Sequence, residues 1–106
     1  MRFKKDKTNI ESVSEYVACI FFKECLTELS KIGISEDMLI DRAKDLRLVY
    51  ARSYVANKLK SMGVNRRYVA DFLRRSYEGV RNIHRKHRYL EMTDGYKIFL
   101  KELAVS

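Results

Sequence analysis

The sequence contains no proline and no tryptophan, only four glycines, two cysteines and two histidines, and no apolar run longer than seven residues. Without proline no ring blocks a backbone hydrogen bond, and four glycines leave few obligatory breaks, so the chain is free to be helical almost throughout. Cys19 and Cys25 lie six apart inside an apolar segment, which suits neither a disulfide framework nor a common zinc spacing. They read as reduced core thiols. The longest apolar run, Tyr16 to Phe22, falls far short of the roughly 20 residues that cross a bilayer, and Glu11 and Glu15 precede it. Neither a signal peptide nor a membrane contact is expected. Also missing are a glycine-rich phosphate loop, a nucleophile elbow and an HExxH motif. His84 and His87 sit three apart but have no carboxylate or cysteine ligands near them in sequence, so half-buried, hydrogen-bonded histidines are expected rather than a metal site. The reading is therefore a non-enzyme with no cofactor and no small-molecule substrate.

What is abundant is positive charge, and its position carries the information. Residues 1–57 hold 10 Lys/Arg against 9 Asp/Glu, residues 58–88 hold 10 against 2, and residues 89–106 hold 2 against 3. The whole formal excess of +8 thus sits in one segment, whereas charge that merely solubilises is spread along a chain. A polyanionic partner accounts for this economically, and a solvated basic face with no partner is the alternative.

At 106 residues one domain is expected, large enough to hold a core without disulfides or metals. The pattern predicts an all-α bundle of about five to six helices spanning 11–106, preceded by a flexible basic arm over residues 1–10. A first helix runs from about Glu11 to Ile32. Val13, Val17, Ile20 and Phe21 share one face and Ala18, Phe22, Cys25 and Leu29 an adjoining one, a wide arc that is either buried under several helices or open to a protein partner or second copy through residues 13–29. Gly33 breaks it and Ser35 caps a short helix to about Asp41. A helix over roughly Leu46 to Met62 follows, with Leu48, Ala51, Val55, Leu59 and Met62 inward, then one from Asn65 to Leu73. Ser76 caps another, ending near Leu90. A last helix from Thr93 or Asp94 is expected to bring Tyr96, Ile98, Phe99, Leu100 and Leu103 to the core.

Within this order, residues 65–90 have the pattern of a helix-turn-helix. Ala70 supplies the small residue where two helices cross closely, Val69 and Leu73 anchor the first helix, and Val80 and Ile83 anchor the second. Arg74 occupies the turn position where glycine is common, which predicts a distorted turn or a strained arginine. On a helical wheel Val80, Ile83, His87 and Leu90 turn inward, and Glu78, Arg81, Asn82 and Arg85 outward. Arginine pairs bidentately with guanine and asparagine with adenine in the major groove, so Arg81, Asn82 and Arg85 suit base reading. Glu78 suits cytosine or rejects wrong placements, and Tyr77 reaches phosphate or a thymine methyl. Arg52, Arg66, Arg67, Arg74 and Arg75 are assigned to flanking phosphates. Double-stranded DNA binding, by a nucleoid-associated cytoplasmic regulator of transcription or replication, is the leading expectation. An adaptor or inhibitor using the apolar first helix is the alternative.

The run from Gly33 to Arg52 (GISEDMLIDRAKDLRLVYAR), followed by the helix-turn-helix, resembles the C-terminal DNA-binding domain of the DnaA replication initiator family. Leu39, Leu48 or Val49, Ala51 and Arg52 fall on family positions, as do Ala70, Arg75 and Val80, the last two at the arginine and valine that bound its signature. Between them the family has Asp-His-Ser/Thr-Thr and this chain has Ser76-Tyr77-Glu78-Gly79, which implies a different base preference. Tyr50 stands where the family often has a minor-groove arginine, and the basic loop is reduced to Arg42, Lys44 and Arg47 between acidic residues. The family's ATPase module does not lie within these residues. The resemblance implies a stand-alone relative, from a mobile element or phage.

Overall fold

Six helices follow one another in the computed structural model, which describes residues 12–106: α1 (Glu15–Ser30), α2 (Glu36–Ile40), α3 (Leu46–Ser61), α4 (Arg66–Leu73), α5 (Tyr77–Leu90) and α6 (Asp94–Val105). The basic arm expected over residues 1–10 lies outside the described residues. Among those described there is no strand, and no helix is long and apolar enough to cross a membrane.

Each start has a local cause. The side chains of Ser14, Ser35, Asp45, Asn65, Ser76 and Thr93 each accept from a backbone amide of the following first turn, satisfying a donor that has no partner within the helix. Ser14 is why α1 begins at Glu15 rather than near Glu11: its hydroxyl accepts from the Val17 amide at 3.2 Å.

Three helix ends share one geometry. After α1, the amides of Gly33 and Ile34 donate to the carbonyls of Ser30 and Leu29; after α3, those of Gly63 and Val64 donate to Lys60 and Leu59; after α4, those of Arg74 and Arg75 donate to Asp71 and Ala70. This paired closure requires a left-handed residue at its pivot. The first two pivots are glycines at φ 82° and 86°, but the third is Arg74 at φ 54°. The strained arginine expected from the sequence is there. A left-handed non-glycine residue costs about 1–2 kcal/mol, partly offset by the roughly 0.5–1 kcal/mol of extra chain entropy that a glycine loses on folding. Arg74→Gly is therefore expected to raise stability by up to about 1 kcal/mol in urea denaturation, unusual for a substitution into glycine.

Helix α3 is central and packs against all five others. Leu48, Ala51, Val55, Ala56 and Leu59 are buried along it, the alanines allowing neighbours to approach closely. Leu29 from α1, Leu39 from α2, Leu73 from α4 and Val80 from α5 complete a continuous core, each leucine contributing on the order of 2 kcal/mol by burial. Phe22 stacks on Phe72 at 4.6 Å, joining α1 to α4. Burial pushes the Cys25 thiol up to about 11, so it serves as a small core residue and not as a reactive thiolate.

Two expectations are corrected. The α1 arc is only partly covered: Ala18, Phe22, Cys25 and Leu29 are buried, whereas Ile20 and Tyr16 are 40% and 75% exposed. On α6, Tyr96 and Phe99 enter the core, but Ile98 and Leu100 face out at 66% and 38%. Each lies about 100° around the helix from Phe99, so a helix one layer deep cannot bury all three. Gly95 admits the rest of α6: an added Cβ there would lie 2.1 Å from the Tyr50 hydroxyl, whose ring meets Tyr96 edge-on at 5.8 Å. Tyr50 is thus a half-buried packing residue.

Candidate nucleic-acid interface

Helices α4 and α5, joined by residues 74–76, form the unit expected at 65–90. Val69, Leu73 and Val80 are fully buried, Ala70 is nearly so, and Ile83 is half-buried. These contacts hold α5 by one side and divide the rest of its surface into two faces. Glu78, Arg81, Arg85 and Arg88 are exposed on the outer face, while Gly79, Asn82, Ile83, Lys86, Tyr89 and Leu90 line a groove toward α3.

The residues assigned to base reading come together on or beside the outer face. Arg81 Nη1 lies 3.5 Å from Glu78 Oε1, and Arg85 Nη2 donates to Asn82 Oδ1. Tyr77, half exposed, lies under the Arg66 guanidinium, which is centred 5.5 Å from its ring. Arg66 Nε in turn donates to His84 Nδ1 at 3.2 Å, so a chain of three side chains fixes the entrance to α5. Arg67 and Arg74 are exposed nearby.

Two phosphate assignments change. Arg52 is buried, with Nε donating to the Leu39 carbonyl at 2.8 Å, Nη1 to Ala43 at 3.0 Å, and Nη2 to Asp41 and Met38 at 2.7 and 3.2 Å. It is a brace and is not available to phosphate. Arg75, half-buried, donates to the carbonyls of Leu73, Asp41 and Ile40 at 2.9, 2.8 and 3.2 Å. The reason is α2. A five-residue helix cannot satisfy its last carbonyls internally, and two guanidiniums do it instead. Burial lowers the pKa of both arginines, and like charge adds to it, from Arg75 on Arg52 and from Arg42 on Arg75.

Lys86 and Arg88, exposed on α5, were not singled out from sequence. Their signal was the same wheel, continued one turn past Arg85.

Both histidines are held neutral. Because Arg66 only donates, His84 Nδ1 must accept, leaving the ring proton on Nε2 to donate to the Ala56 carbonyl at 3.0 Å. His87 Nδ1 lies 2.7 Å from Ser53 Oγ, with the ring edge-on to Tyr96. Burial is the main cause that holds both below the ordinary value of 6.5; at His84 the hydrogen bond to the Ala56 carbonyl opposes it while Arg66 and Lys60 add to it, and at His87 Glu91 opposes while Lys60 adds. Below 6.5 the unfolded chain takes up protons that the fold refuses, so stability is full above that pH and is lost as pH falls toward the folded-state values. Thermal melts taken from about pH 7.5 down to about 5 should show a falling Tm, and His84→Gln should make the fall shallower.

Compared with protein-family models, curated proteins and solved structures, the chain matches none.

Proposed function

We propose that this protein binds double-stranded DNA, as a nucleoid-associated regulator of transcription or replication and not as an enzyme, with α5 in the major groove. The observation that carries the reading is the outer face of α5, which presents Arg81, Arg85 and Arg88 with Asn82 at its edge while the opposite side is anchored in the core. Arg81, Asn82 and Arg85 read base edges, Glu78 holds Arg81 and penalises misplacement, and Tyr77 contacts the backbone or a thymine methyl. Arg66, Arg67, Arg74, Lys86 and Arg88 meet phosphates. Arg74 gives a reason for the strained turn: glycine there is more stable but removes a cation from the interface. The likeness of residues 33–83 to the DnaA C-terminal domain supports the same docking and a relationship to that family.

Five neutralised phosphates correspond to a slope of about −4 to −5 in log K against log salt. Anisotropy titrations of a duplex recovered by random-sequence selection test this directly. A flat salt response, or a selection that enriches nothing, overturns the reading.

A second reading, docking of a protein partner or second copy on α1, rests on the exposed Tyr16 and Ile20. It is favoured if partner binding persists when Arg74, Arg81 and Arg85 are neutralised and duplex affinity is absent at physiological salt.

A further inference from the structure

The groove beside α5 has a volume of about 820 Å³, in the range that holds a small organic ligand. Most of its walls come from three places, with Arg75 of the α4–α5 turn and Thr93 at the start of α6 closing it. Gly79, Asn82, Ile83, Lys86, Tyr89 and Leu90 line it from α5, Val49, Arg52 and Ser53 from α3, and Arg42 and Lys44 from the link between α2 and α3.

Its charge is of one sign. The lining includes Arg42, Lys44, Arg52, Arg75 and Lys86 and no carboxylate. The guanidiniums of Arg52 and Arg75 donate to carbonyls, whereas Arg42, Lys44 and Lys86 are exposed and form no ion pair with a described residue. The acidic neighbours of the link are turned to the backbone: Asp41 Oδ1 accepts from the Ala43 amide and Asp45 Oδ1 from the Arg47 amide. Burial lowers the pKa of Arg75, and the neighbouring Arg42 cation adds to that while Asp41 opposes it. An anion between the groove cations relieves their repulsion.

The surface between these cations is apolar, with Val49, Ile83, Tyr89 and Leu90 contributing to it. A phosphodiester strand gains nothing from such a wall, and a purely apolar ligand gains nothing from the cations. We propose that this groove binds a small amphipathic carboxylate, its apolar body against Val49, Ile83 and Leu90 and its head among Arg42, Lys44 and Lys86.

The ligand is an effector, not a substrate. Asn82 and Lys86 belong both to the groove and to the DNA contacts, so a bound carboxylate places negative charge beside α5 and weakens duplex binding. This coupling rests on the proposed function; the ligand site does not.

The test is a ¹⁵N NMR titration of the full chain with decanoate below its micellar concentration, with inorganic phosphate and decyltrimethylammonium as separate arms. Decanoate is expected to shift the amides of Gly79, Asn82, Lys86, Leu90 and Thr93 saturably, while phosphate and the cation leave them unmoved. Arg42→Glu with Lys86→Glu, both at exposed positions, should raise the decanoate Kd at least about tenfold with spectral dispersion retained. Absence of saturable shifts, shifts spread over Tyr16 or Ile98 instead, or an unchanged Kd in the double variant each overturn the site. Saturation with no change in duplex affinity overturns the coupling and leaves the site standing. Failure to bind any duplex without decanoate counts against the proposed function alone.

Discussion

An Arg81→Ala/Arg85→Ala double variant is expected to bind the selected duplex about 100-fold or more weakly than the wild type, with little change in thermal stability. Each bidentate contact with guanine discriminates by about 1–3 kcal/mol, and 1.4 kcal/mol is tenfold in affinity. The small stability change follows from exposure. The two arginines contact Glu78 and Asn82 on the surface of the same helix, and such pairs contribute at most about 1 kcal/mol. The single variants separate roles. If Arg81 reads a base, Arg81→Ala flattens the preference at one position of the selected site; if it meets only phosphate, it weakens all sequences alike and reduces the salt slope by about 1. Glu78→Gln provides the opposite control. Glu78 is the only carboxylate on α5, so its neutralisation should strengthen binding to random duplex while narrowing the ratio of specific to non-specific affinity.

The features legible in the sequence were those written locally. Ser35, Asn65 and Ser76 announced their helices because a cap acts over three residues, and the wheel of α5 placed Val80 and His87 inside because α5 meets the core along a single stripe. Arg74 was legible for a similar reason: the closure of α4 needs one pivot residue whatever occupies it. Where the sequence misled, one residue type had two uses. An arginine at position 52 or 75 serves a phosphate or a carbonyl equally well by chemistry, and only the packing of α2 decides. A signal did exist, since a helix of one turn leaves its carbonyls unpaired and needs donors from elsewhere. Ile98 and Leu100 were misplaced because α6 lies at the edge of the bundle, which composition does not reveal. The groove joins residues 42–44 to residues 79–90, and no periodicity within either segment points to the other.

Arg52→Ala is expected to lower stability by about 3 kcal/mol, a fall of roughly 10–20 °C in Tm for a domain of this size. The guanidinium donates to the carbonyls of Met38, Leu39, Ala43 and Asp41, and its removal leaves the buried Leu39 acceptor without a donor and the part-buried others dependent on water. Arg52→Lys should recover little. An ammonium offers three donors from one point, whereas this site uses a planar fork to reach carbonyls on both sides of the α2 C-terminus. Arg67→Ala makes the contrast sharp, because Arg67 is exposed: it should reduce the salt slope by about 0.9 and leave the melting curve in place. If Arg52→Ala instead melts like the wild type and loses only salt-dependent affinity, the brace is refuted and Arg52 returns to the phosphate contacts. The consequence reaches the groove as well. Arg52 fixes the carbonyls of Asp41 and Ala43, which flank Arg42, so loosening this one side chain should weaken decanoate binding even though Arg42, Lys44 and Lys86 are untouched.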